Sequence, residues 1–100
     1  MDTYELLRIK MDRIIKMLDN FEDMSEKDFS EFMNKIENIS RLIPKEDNEK
    51  KNILAYTNYL NAMKFKKYGG IFKGKSIKGN EIIRKMDVED MVWRINSLLY

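Results

Sequence analysis

Apolar residues recur at alternating spacings of three and four along most of the first sixty residues, and this periodicity decides what the chain can become. Tyr4, Leu7, Met11, Ile14, Leu18 and Phe21 form one such seam, the signature of a helix with one buried face. Asp2, three residues before Glu5, is placed to cap that helix. Leu6, Ile9 and Met17 lie off the seam, so this helix is expected to meet more than one neighbour or a second subunit.

Ser25-Glu26-Lys27-Asp28 reads as a capping-box start for a second helix. Its stripe is Phe29, Phe32, Ile36, Ile39 and Ile43, widened by Met33. Pro44 has no amide to donate and disfavours the α conformation before it, so this helix ends near Leu42. A third seam, Ile53, Tyr56, Leu60 and Met63, has Leu54 and Tyr59 beside it. It predicts a helix from Asp47 or Asn48 that the pair Gly69-Gly70 stops. Short connections favour antiparallel packing of the three.

All four glycines fall between residues 69 and 79, which marks that segment as the one built to turn. Ile71-Phe72 and Ser76-Ile77 are expected at most to pair as a minimal hairpin. Ile82, Ile83 and Met86 begin an apolar pattern whose phase runs into Glu89 and Asp90, so a new helix is expected near Asp87. Asp87 would cap it, with Val88, Met91, Val92, Ile95, Leu98 and Leu99 facing inward and Trp93 at the border. The expected fold is mainly α, a small four-helix domain spanning residues 1–100. It comprises three long antiparallel helices, a Gly/Lys-rich loop or minimal hairpin, and a C-terminal helix. Leu7, Ile14, Leu18, Phe32, Ile36, Ile39, Ile53, Leu60 and Ile95 are its expected core. Met24, between the first two helices, needs an apolar place of its own.

Composition narrows the function. The chain has neither cysteine nor histidine, which removes disulfides, thiolate zinc sites and the commonest general base. Asp12, Asp19, Glu22 and Asp23 fall at near-helical spacing, a pattern better read as a solvated face than as a cation site. The expectation is a protein that is not an enzyme and uses no metal or cofactor. Met1-Asp2-Thr3-Tyr4-Glu5 lacks the pattern of a secretory signal, and no run reaches the length of a membrane span. A cytoplasmic location is expected, the host cytoplasm for a viral protein. Abundant Lys, Ile and Asn beside few Ala, Gly and Pro indicate an AT-rich genome. With the small size, this fits an accessory or inhibitor protein of a phage, virus or mobile element.

Gly69 to Ser76 spells Gly-x-x-x-x-Gly-Lys-Ser, but a phosphate-binding P-loop follows a buried strand and opens a helix, and neither neighbour is expected here. Charge carries more information. Residues 64–85 hold Lys64, Lys66, Lys67, Lys73, Lys75, Lys78, Arg84 and Lys85 against Glu81 alone, whereas the remainder is acidic and the total is only +2. Such asymmetry suggests an oriented electrostatic partner.

The candidate binding residues are therefore Lys64, Lys66, Lys67, Tyr68, Lys73, Lys75 and Lys78, in a loop that contacts an acidic or phosphate-bearing partner. The expected function is a protein-protein binding module, with a homodimer as a further partner state. The alternative is nucleic-acid binding through Lys64–Lys85. Phe65, Tyr68 and Phe72 would then stack on exposed bases, with the second and third helices read as an over-long helix-turn-helix.

Overall fold

The computed structural model describes residues 2–44, 48–63, 65–76 and 79–100, with the side chains of Ser76 and Asn80 left aside. Helix α1 (Thr3–Met17) starts as its sequence dictates, the Asp2 carboxylate accepting a hydrogen bond from the Glu5 amide at 2.8 Å. The first seam outlasts the α-helix. Residues Leu18–Asp23 tighten into a 3-10 turn that buries Leu18 and Phe21. Met24 then leaves in extended conformation with its side chain 5% exposed, so the linker methionine fills the core.

Helix α2 (Glu26–Leu42) opens on the expected capping box, Ser25 and Asp28 each accepting from the other's amide, and stops two residues before Pro44. Helix α3 (Asn48–Asn61) begins at one of the two expected positions; Asp47 lies outside the described residues. Arg41 donates to Asn58 at 3.0 Å and Asn61 donates to Glu37, so α3 runs back along α2. Helix α4 (Lys85–Ser97) packs against α1, α3 and the 3-10 turn. The Arg8 side chain holds the chain's end to α1 by donating to the Leu99 carbonyl at 2.6 Å.

The nine expected core residues are all buried. Leu6 and Ile9 are exposed and Met17 is half-buried. No described helix is long and apolar enough to cross a membrane.

The main correction concerns residues 65–83. Helix α3 ends at Asn61 and does not reach Gly69-Gly70, and the expected glycine-rich loop is a three-stranded antiparallel meander, β1 (Phe65–Tyr68), β2 (Ile71–Ser76) and β3 (Gly79–Ile83). Gly69 is indeed left-handed, at φ +61°, but it turns a hairpin. Tyr68 pairs with Ile71 across a two-residue loop with its positive φ at the first central position, the type II′ arrangement that matches strand twist. The expected pairing of Ile71-Phe72 with Ser76-Ile77 is also overturned. Ile71 to Ser76 is one strand, bonded to β1 on one side and β3 on the other, and Ile77 lies outside the described residues.

Ile82 and Ile83 likewise belong to β3, which moves the start of α4 to Lys85. Asp87 still serves that start from inside the first turn, its carboxylate accepting from the Arg84 amide at 2.8 Å. Val88, Met91, Val92, Ile95 and Leu99 are buried, Leu98 is half-buried, and Trp93 is exposed. The fold is mainly helical with one small sheet.

Candidate binding face

The sheet separates its side chains by pairing register, because directly opposed residues share a face and successive residues alternate. One layer contains Phe65, Gly74 and Glu81, and the next on the same side Lys67, Phe72 and Ile83. This inner face rests on the corner between the 3-10 turn and α2. The Phe72 ring stacks on Phe29 with centroids 4.1 Å apart, while Phe65 meets Phe29 edge-on at 5.3 Å and Phe21 meets Phe72 at 5.6 Å.

Gly74 makes this possible. A Cβ there would lie 2.7 Å from Phe65 Cε1, closer than carbon atoms approach without displacement. The second half of the P-loop spelling is therefore a strand residue that makes room for a ring, and residues 71–76 form no phosphate cradle.

Lys67 is on the inner side and is committed to the scaffold. Its amide donates to Glu26 Oε1 at 2.9 Å and its ammonium to the Glu22 carbonyl at 2.6 Å. Both bonds anchor edge strand β1, and the first covers part of its open hydrogen-bonding edge. Glu81, at the far side of the sheet, accepts from the Tyr59 hydroxyl at 3.0 Å. Nearby, Tyr56 titrates above its ordinary value of 10.0, chiefly through burial and secondarily through Asp87 and Glu81.

The outer face carries Lys66, Lys73 and Ile82 in one row, with Tyr68, Ile71 and Lys75 in the adjoining rows. Lys66 and Lys73 stand directly opposite each other, an arrangement of like charges that weakens a strand pair. Among the described residues, no carboxylate lies within ion-pairing distance of Lys66, Lys73 or Lys75. Lys73 instead sits 5.0 Å from the centroid of the Tyr68 ring, a cation-aromatic contact. Tyr68 is 53% exposed and Ile82 39%.

The structure thus brings together Lys66, Tyr68, Lys73 and Lys75 and assigns Lys67 elsewhere; Lys64 and Lys78 lie outside the described residues. Ile82 was the missed member. Its neighbour Ile83 looks equivalent in the sequence, and only the strand register turns one inward and the other out.

Of the three aromatic residues expected to offer stacking, Phe72 is fully buried and Phe65 faces inward, which leaves Tyr68 alone on the outer face. Compared with known proteins, the chain matches no family model, no curated protein and no solved structure.

Proposed function

We propose that this protein is a non-catalytic protein-binding module whose contact surface is the outer face of the sheet and whose partner presents an acidic surface. The observation that carries the reading is the opposed pair Lys66 and Lys73, flanked by Lys75, with no described carboxylate to offset them. Such a pair costs the isolated fold stability, and an acidic partner converts that cost into attraction and faster association. Tyr68, Ile71 and Ile82 supply the apolar contact that lysines alone do not. A protein partner suits this mixture better than a nucleic acid does. A single aromatic ring, with an ammonium already over it, is a poor stacking platform for successive bases, and lysine offers phosphate a point charge rather than a base-reading fork.

The test is a variant with Lys66, Lys73 and Lys75 all changed to Gln, used beside the parent as bait in nuclease-treated extract of the source cells at low salt. The parent should retain an acidic protein stoichiometrically, and the variant should bind that protein at least tenfold more weakly, about 1.4 kcal/mol. Equal retention by both proteins removes the sheet from the interface. If instead the parent shifts single-stranded oligonucleotides with a steep salt dependence and the variant does not, the face belongs to nucleic acid and the protein reading fails.

A further inference from the structure

The groove between α1 and α2 is a second surface, independent of the sheet. At one end Lys10, Arg13 and Lys35 stand over a floor of Ile14 and Ile39, in a cleft of about 270 Å³ bounded by Leu42. At the other end the lining is acidic, with Asp23, Asp28 and Glu31 beside Asn20 and Met24. Met17 lines both clefts and marks the boundary between them. On α2 the sign changes within one turn, between Glu31 and Lys35.

Among the described residues, the side chains of Lys10, Arg13, Lys35, Asp23 and Glu31 form no ion pair. Leu6, one turn before Lys10, is 44% exposed and Leu42 is 53% exposed. The groove therefore combines a buried apolar floor and the exposed Leu42 with unpaired charges segregated by sign.

We infer that this groove is the interface of a symmetric dimer, in which α1 and α2 of one copy lie antiparallel against the same helices of a second copy with Met17 near the two-fold axis. A two-fold axis at the sign boundary sets the basic end of each copy on the acidic end of the other, and each pairing occurs twice. A uniformly acidic or uniformly basic partner would complement only half of the groove, and a parallel arrangement of two copies would oppose like charges. A second copy turned end for end supplies both signs, with Met17 meeting its symmetry mate, and leaves the sheet's outer face out of the contact.

Charge reversal with rescue tests this directly. One variant carries Arg13→Glu and Lys35→Glu, the other Asp23→Lys and Glu31→Lys; Asp28 is left intact because it caps α2. Sedimentation equilibrium at low salt and high micromolar concentration should show a dimeric parent. Each variant alone should associate at least tenfold more weakly, and an equimolar mixture should recover a 1:1 dimer, since one variant then carries two acidic ends and the other two basic ends. Thermal melting followed by circular dichroism establishes that the variants are folded. Should a reversed pair fail that control, Arg13→Gln with Lys35→Gln replaces it and should still weaken the dimer. A monomeric parent, a dimer unaffected by these changes, or folded monomeric variants that do not recombine would each overturn the assignment.

Discussion

On the inner face of the sheet, Phe65 and Phe72 close over Phe29 and Phe21 and Ile83 is buried beside Phe72; one residue along in each strand, Lys66, Lys73 and Ile82 face solvent. Adjacent positions of one strand thus have opposite energetic roles. The inner face gains from burial and ring contact, whereas the outer row carries opposed like charges that weaken the pairing they sit on. The difference teaches where to look for function in so small a domain. A feature that stabilises needs no further reason, and one that costs stability asks for a partner.

Cutting into the inner face should produce the largest effect. Phe72→Ala deletes a fully buried ring stacked on Phe29 and should cost about 3–5 kcal/mol, read from the urea midpoint. An unchanged midpoint would mean that the sheet is not held by its aromatic face. Gly74→Ala comes next, because the added methyl collides with the Phe65 ring; overpacking of this kind costs about 1–3 kcal/mol. The comparison sharpens if Phe65→Ala is combined with it. The double variant should lose less than the sum of the two single losses, since removing the ring frees the space, and strict additivity would show that Gly74 is there for another reason.

Acid probes a different kind of tie. Glu37, on α2, is held below its ordinary value of 4.5, first by the hydrogen bond from Arg41 and further by Asn61, against an opposing contribution from burial. A carboxyl whose folded-state pKa is lowered adds stability above its unfolded value and loses it as the pH falls through the folded one. The parent's advantage over Glu37→Gln should therefore be present at neutral pH and fade below about 4.5, a small effect because Arg41, the first partner, is exposed to solvent. A constant difference across that range would exclude the linkage. The smallest change is expected on the outer face, where Lys66, Lys73 and Lys75 converted to Gln should move stability within about ±0.5 kcal/mol for each substitution. A gain, from relieving Lys66 against Lys73, would strengthen the contrast between the two faces, and a loss as large as that of Phe72→Ala would erase it.

The helices and their core were legible because helical periodicity is local. Leu7, Ile14 and Leu18 announce one face within a few turns, and Asp2, Ser25 and Pro44 mark boundaries through bonds to their nearest neighbours in sequence. Lysine enrichment near residues 64–85 was equally plain. The division of those lysines was not, since Lys66 and Lys67 are equivalent until both are known to lie on one strand and its register is set.

What the amino-acid sequence determined by itself was therefore the number of helices, most of the buried residues, and the separation of basic from acidic segments. Tertiary structure alone decided that α3 stops at Asn61 and that Phe65–Tyr68 is extended. A strand of four residues alternates too briefly to outweigh an apolar spacing that fits a helix equally well, and its hydrogen bonds come from β2, beyond the turn at Gly69-Gly70. The fit of Phe65 over Gly74, the commitment of Lys67 to Glu22 and Glu26, and the outward aim of Lys66 and Lys73 all depend on that pairing. Helix signals are written within a turn of the residue that carries them, whereas the two faces of a sheet exist only once separate strands have met.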